Sequence, residues 1–390
     1  MTTQALKNWN KVKLGQVLTL NYGKGLPARD RVEGKYPVYG SAGIVGSHNT
    51  FIAEGPGIIV GRKGSIGEIY LSKKDYYPID TAYYINSSDK YDIFFIYYLL
   101  KTLSLNTLNT DAAVPGLNRS VAYQQEFLLP DFPAQKQIAD VLSTYDDLIE
   151  NNTRRIQILE QMAQAIYTEW FVNFRFPGYK QIKMVDSGTD FGKIPEGWEV
   201  KNMTKFKCFN FFKPKVDRFD GVKRYFATAD IGSLGFISEG EKVTFSSKPS
   251  RAQIQPVINS IWFARMKDTR KVCFFRNINA DSSGNILLSS GMAGFRSEDN
   301  CFAFMFSTIS SELFHIKKNL NATGATQISL TDEGLKQIKM VEPDISFVLS
   351  YTKIANPWLD EVLLLQNKNK ILRKMRDLLL PKLVNGEIRV

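Results

Sequence analysis

Residues 138–170 read IADVLSTYDDLIENNTRRIQILEQMAQAIYTEW. Within them Ile138, Tyr145, Asn152, Leu159 and Ile166 alternate with Leu142, Ile149, Ile156, Ala163 and Trp170 at spacings of four and three. That is the heptad seam of a helix made to pack on another helix. About 35 residues at a rise of 1.5 Å make it on the order of 50 Å long.

The seam recurs at a constant offset that carries Ile138 onto Tyr351, as Tyr351, Trp358, Leu365, Leu372 and Leu379 interleaved with Ala355, Val362, Asn369, Arg376 and Leu383. The same frame holds upstream of the helices. Pro130-Asp131 falls on Pro343-Asp344, and Thr110, Ala112, Leu117 and Gln124 fall on Thr323, Ala325, Leu330 and Gln337. A fainter echo opens each half: Trp9, Val12 and Leu14 against Pro195-Glu196-Gly197-Trp198 and Val200. Here the offset, from Trp9 to Trp198, is shorter, so the second globular part has gained residues in its interior. Between these landmarks Ile58-Ile59-Val60-Gly61-Arg62 resembles Ile261-Trp262-Phe263-Ala264-Arg265, a strand ending on arginine in both. Such self-similarity defines an internal repeat. The chain is expected to run globular, helical, globular, helical, over 1–132, 133–173, 174–345 and 346–390.

Strand-like apolar or alternating runs occupy the globular parts between Gly, Asn, Asp and Ser: Pro37 to Gly46, Ile58 to Leu71, Tyr225 to Ile237, Ile261 to Phe275 and Phe302 to Phe306. Gly61 to Gly67 is expected to turn a hairpin, with glycines supplying positive φ. The fold class is therefore α+β, two β-rich lobes alternating with two long helices. Those helices could pack on separate cores, or pair as an antiparallel coiled coil. Pairing is preferred because each apolar stripe has its repeat twin as a partner. The first helical segment carries 3 basic and 6 acidic residues and residues 346–386 of the second carry 7 and 3, so the two attract. Asn152, Asn369 and Arg376 interrupt the seam at a cost in stability and can set its register. Pro381 is expected to end or kink the second helix.

The 50 Lys+Arg exceed the 39 Asp+Glu by 11, which favours a polyanionic partner. Of this excess the first globular part holds +3 and the second +7, so salt-sensitive affinity is expected to rest more on the second lobe. No run approaches the ~20 apolar residues that span a bilayer. The first twenty residues lack a basic-then-apolar signal pattern, and Cys208, Cys273 and Cys301 are odd in number and widely spaced, which suits a reducing cytoplasm. With His48 and His315 alone and no CxxC pair, no metal site is expected.

Catalytic motifs are missing. Gly55 to Ser65 lacks the spacing of a phosphate loop, and the chain has no GxGxxG opening a helix, no HExxH, no GxSxG and no Asn-Pro-Pro-Tyr/Phe. A nuclease or methyltransferase acting alone is disfavoured. Two related lobes joined by a stiff rod suit the reading of two separated DNA segments, with the rod setting their spacing.

The chain resembles the specificity subunit of type I restriction-modification enzymes. The resemblance rests on Met375-Arg376-Asp377-Leu378-Leu379-Leu380-Pro381-Lys382-Leu383-Val384-Asn385-Gly386-Glu387-Ile388, on Ala134-Gln135-Lys136-Gln137-Ile138-Ala139-Asp140-Val141-Leu142, and on Ala165 to Phe171. Ile194-Pro195-Glu196-Gly197-Trp198 and Pro37-Val38-Tyr39-Gly40-Ser41-Ala42-Gly43 add to it. It implies two target-recognition domains, each reading half of a bipartite site in double-stranded DNA, and helices that bind two methylation subunits. It also implies restriction/translocase subunits, and leaves S-adenosylmethionine, ATP, Mg²⁺ and the adenine methyltransferase and deoxyribonuclease chemistry to those partners. Ser346 to Ser350 replaces the Ala-Gln-Lys-Gln phrase in the second half. A helical scaffold with RNA- or protein-binding lobes is the alternative.

Residue types that read base edges or hold phosphates nominate Lys24, Arg29, Arg31, Tyr39, Ser41, Asn49, Arg62, Lys63, Ser65, Asn118 and Arg119 in the first lobe. Lys213, Lys215, Arg218, Arg224, Arg265, Lys267, Arg270, Lys271 and Gln327 are nominated in the second. Arg62 and Arg265 lead, because they recur at the same strand end.

Overall fold

A computed structural model describes residues 9–108, 116–276 and 284–389. They form two compact units, one from residues 1–151 with 369–390 and the other from 152–368. The expected Thr110 and Ala112 repeat positions lie outside the described residues.

Two long helices run through the chain, a central one over Phe132–Tyr167 and a C-terminal one over Ile345–Val384. Both start on repeat-related aspartates that cap orphan backbone donors. Asp131 Oδ1 accepts from Ala134 N at 3.0 Å and Asp344 Oδ1 from Ser346 N at 2.9 Å. The Ser346 to Ser350 replacement thus changes the face of the first turns and keeps the cap. Pro133 sits in the first turn, where no N–H is needed. Pro381 does not end the C-terminal helix as expected. The helix runs on to Val384, with Asn385 N donating to Pro381 O at 3.0 Å before Gly386 turns the chain at φ +73°. Pro357, inside the same helix, removes one further ladder donor.

In the first unit, strands Asn21–Tyr22, Ala82–Asn86, Gly57–Gly61 and Ile69–Ser72 form an antiparallel sheet in that order. A second sheet orders Gly43–His48, Tyr36–Gly40 and Tyr77–Pro78, the last two parallel. The apolar run after Asp92 is a helix, Ile93–Thr102, capped by the Asp92 carboxylate. It buries Phe95, Ile96 and Leu99 against Ile58, Val60 and Ile85, together with Ile138 and Leu142 of the central helix and Leu383 and Val384 of the C-terminal one. Gln135, 2% exposed, locks this junction: its amide donates to Pro130 O and accepts from Asp92 N, both at 2.9 Å.

The second unit repeats the plan. Phe209–Phe212, Met292–Ser297, Ser260–Ala264 and Val272–Phe275 form an antiparallel sheet in the same order. Beside it lie Glu241–Val243, Lys223–Phe226, Ile286–Ser289 and Ala252–Ile254, with the middle pair parallel. Ala252–Ile254 has no counterpart in the three-stranded sheet of the first unit and lies within the longer second globular part. The lobe entrances reproduce both sequence offsets in one register. Asn10 faces Leu129 in one unit and Glu199 faces Glu342 in the other, so the shorter offset relates one strand of the pair and the longer offset its partner.

Phe302 to Phe306 departs from the expected strand. It opens a helix, Phe302–Ser310, whose first eight residues are all buried. A run apolar on every side carries no periodicity to separate the two structures.

Within each unit the two helices run antiparallel. In the first, Asn369 Nδ2 donates to Ile149 O at 3.4 Å, Arg376 pairs with Asp146, and Leu379 and Leu383 share a core with Ile138 and Leu142. In the second, Arg155 meets Glu361 at 2.8 Å and Tyr351 Oη donates to Ala163 O at 3.0 Å. Along the seam Ile138, Leu142, Val362 and Leu365 are buried, while Tyr145, Ile149, Ile156, Leu159, Ile166, Trp358, Leu372 and Leu379 are half-buried. Asn152 and Asn369 lie inside it at 8% and 3% exposure.

Candidate nucleic-acid interface

The hairpin turn of the first lobe brings several nominated residues to one corner. Gly61 has no room for a side chain, because a Cβ there would stand 1.9 Å from Ser65 O; Gly64 and Gly67 hold φ of +78° and +69°. Arg62 N and Lys63 N both donate to Thr81 O, and Leu117 N donates to Arg62 O at 2.8 Å, which draws the segment before Asn118 and Arg119 against the strand end. Asn118 accepts from Ser120 N and Val121 N and so caps the short helix Arg119–Tyr123. Ser41 joins through its backbone N–H to Thr81 Oγ1 at 3.3 Å. The corner therefore gathers Ser41, Arg62, Lys63, Ser65, Asn118 and Arg119.

At its centre stands Tyr22, 51% exposed and absent from the nominated set. The guanidinium carbons of Arg62 and Arg119 lie 4.9 and 5.0 Å from the centre of its ring. Each cation rests on the electron-rich face of an aromatic ring. Arg62 also donates to Asp80 O at 2.7 Å, and Arg119 lies 6.0 Å from the Tyr123 ring. Among the described residues neither arginine pairs with a carboxylate.

The second lobe builds the same corner with different charges. Leu330 N donates to Arg265 O at 2.8 Å, as Leu117 does to Arg62, and the bridge from Met266 to Ser329 matches that from Lys63 to Gly116. Arg265 nevertheless does not face outward as expected. Its side chain is 13% exposed, and it donates to Met292 O at 3.1 Å, Leu330 O at 3.0 Å and Asp332 Oδ1 at 2.6 Å. Its donors are consumed inside the lobe. Lys213 Nζ approaches the other Asp332 oxygen at 2.9 Å. Burial pushes the Asp332 carboxyl up, but the bonds from Lys213 and Arg265 outweigh it and hold the group below the usual carboxylate range.

The registers make these two triads equivalent. Tyr22 faces Tyr83, which faces Val60. Phe212 faces Gly294, so Lys213 follows on towards Ala293, the partner of Phe263. Lys213 thus takes the place of Tyr22 and Arg265 that of Arg62, while Asp332 stands at the repeat equivalent of Arg119. The repeat offset could have nominated Asp332; Tyr22 could be found only once strand pairing was known.

The remaining nominated residues scatter. Tyr39 is 7% exposed and packs edge-on to Tyr76 at 5.8 Å, so it belongs to the core rather than to a surface. Arg31 staples loops by donating to Leu26 O and Val45 O. Arg29 pairs with Asp30 and Arg270 with Glu312, all four exposed. Arg224 donates to Glu239 O at 2.5 Å and Lys271 to Thr228 O at 3.0 Å. Lys24, Asn49, Lys215, Arg218, Lys267 and Gln327 are exposed. No group of His, Cys, Asp and Glu able to hold a metal occurs among the described residues, and no helix there is long and apolar enough to cross a membrane.

Two repeat-related lobes, each with an arginine ending the same strand, alternate along the chain with two long helices. Residues 6–161 match the family described as Type I restriction modification DNA specificity domain. The chain is similar to type I restriction-modification specificity subunits over most of its length. It is 26% identical over 310 residues to the type I restriction enzyme MjaIX specificity subunit of Methanocaldococcus jannaschii, covering 76% of this chain and 69% of that one. To the HindI specificity subunit of Haemophilus influenzae it is 24% identical over 314 residues, covering 67% and 68%. The crystal structure of the S subunit of a type I restriction-modification system from M. genitalium shares the fold, with a TM-score of 0.59 at 18% identity over 97% of this chain and 96% of that one.

Proposed function

We propose that this chain is the DNA-reading component of a type I restriction-modification complex, in which each lobe reads one half of a bipartite site. The observation that carries this reading is the repetition of one strand order, one entrance register and one arginine-ended strand in two lobes of divergent surface. A single continuous site would not need two versions of one reader. The recognition domains are taken as 1–132 and 174–345, with helical regions 133–173 and 346–390. Helices of 36 and 40 residues span about 54 and 60 Å and would set the distance between half-sites.

The helices also carry what two copies of one partner would need. Ile158 and Met162 of the central helix are 45% and 41% exposed, and their repeat equivalents Ile371 and Met375 are 58% and 46% exposed. Large apolar side chains kept in water at repeat-related places suit docking. The occupants proposed are two methylation subunits, and restriction/translocase subunits would join through them. S-adenosylmethionine, ATP and Mg²⁺ would belong to those partners.

The test is coexpression with the cognate methylation subunit and sequencing of the methylated genomic sites. Two short specific sequences separated by a spacer of constant length are expected. A single uninterrupted site, or none, would overturn the proposal, and tight binding of RNA in place of DNA would favour the scaffold alternative.

A further inference from the structure

The two corners of this chain are one piece of architecture in two charge states. In the second lobe, Lys213 and Arg265 converge on a carboxylate supplied by the lobe itself, with Asp332 oxygens at 2.9 and 2.6 Å. In the first lobe Arg62 and Arg119 converge on the Tyr22 ring, and no described residue supplies the anion. Both guanidiniums lie about 5 Å from one ring centre, and the quadrupole of the ring offers each of them only part of what an anion would. An anion from outside would supply the remainder.

We propose that Arg62 and Arg119, both over Tyr22, form a clamp for one backbone phosphate of DNA, and that the second lobe lacks this clamp because Asp332 stands where the first lobe has Arg119 and neutralises Arg265 and Lys213. The inference rests on the DNA-reading role proposed above and names the atoms that anchor the first lobe. A phosphate fits the clamp because guanidinium forks match its oxygens in plane and in charge. Tyr22 holds both cations about 5 Å from its ring centre. Arg119 is placed by the turn that Asn118 caps, and Arg62 by its bond to Asp80 O, so both cations are held before DNA arrives. Salt dependence should accordingly be concentrated at this corner of the first lobe, although the larger positive excess lies in the second.

The test uses the full chain assembled with its methylation subunit, on a duplex carrying the site found by methylation sequencing. Affinity is measured across a salt series. Arg119→Gln is expected to weaken binding roughly tenfold at low salt and to reduce the slope of log affinity against log salt by about 0.9, the share of one phosphate. Arg119→Lys should keep most of both, and the methylated sequence should not change. Arg119→Asp recreates the self-neutralised arrangement of the second lobe. It should fold, because Arg62 gains a partner, and it should lose the clamp as Arg119→Gln does. An unchanged slope in both the Gln and Asp variants would overturn the clamp. So would an altered first half-site in the methylated sequences, which would make Arg119 a reader of bases. Failure of the DNA-reading role would look different, because the wild-type complex would then bind no bipartite duplex at all.

Discussion

Arg62 and Arg265 show how far a residue can be read without its neighbours. Both end the same strand in the repeat, and both carbonyls accept the same backbone bond, from Leu117 and from Leu330. One guanidinium lies over exposed Tyr22, while the other is drawn inward by Asp332. The roles diverge because of a residue far along the chain at the repeat-equivalent position. Arg265→Ala should therefore act on stability, stranding the Met292, Leu330 and Asp332 oxygens at a cost of about 2–4 kcal/mol. A thermal melt showing no loss for Arg265→Ala would contradict the bracket role. Arg62→Ala should leave the melt nearly unchanged and weaken the first half-site only. Glu160 gives a second test at this scale. Burial pushes its carboxyl up to about 7, in a cavity of about 180 Å³ that it lines with Lys318 and His315. A raised carboxyl contributes most below its unfolded value near 4.5 and loses that contribution as pH rises through 7. Glu160→Gln should melt with the wild type near pH 4.5 and above it at pH 8, by up to about 3 kcal/mol. Coincident melting curves at both pH values would count against the buried carboxylate.

At the scale of elements, the heptad spacing located both long helices, and their repeat twinning pointed to each other as partners. The buried positions Asn152 and Asn369 belong to that pattern. Asn369→Leu should raise the melting temperature by removing a buried amide while loosening the register that its bond to Ile149 O sets, and Arg376→Leu should destabilise by about 2 kcal/mol because Asp146 loses its cation. If Asn369→Leu lowered the melting temperature, its bond would outweigh its burial. Deleting one heptad from each helix at repeat-equivalent places shortens both by ~10 Å, and should contract the spacer between methylated half-sites by ~3 base pairs. An unchanged spacer would end the ruler role. Where spacing carried no information, as in the apolar run Phe302 to Phe306, element type was not legible in the sequence, because buried helices and buried strands are equally apolar. Pro381 shows the converse, a strong local signal outlived by the turn that Gly386 provides.

For the molecule as a whole, charge counts placed the larger positive excess in the second lobe, yet counts do not register which cations are already neutralised. Asp332 neutralises two of them there, and Glu312 and Glu239 engage Arg270 and Arg224. The repeat, its two offsets, the order of lobes and helices and the apolar pairs Ile158/Met162 and Ile371/Met375 are all determined by the order of side chains along the chain, because periodicity and self-similarity are one-dimensional properties. What only the tertiary structure decided is which charges remain free. Tyr22, Arg62 and Arg119 come from three separate segments, and so do Lys213, Arg265 and Asp332. Electrostatics falls off with distance in space rather than along the chain, so the open corner and the closed one become distinguishable only when strand pairing brings their residues within about 5 Å of a common centre.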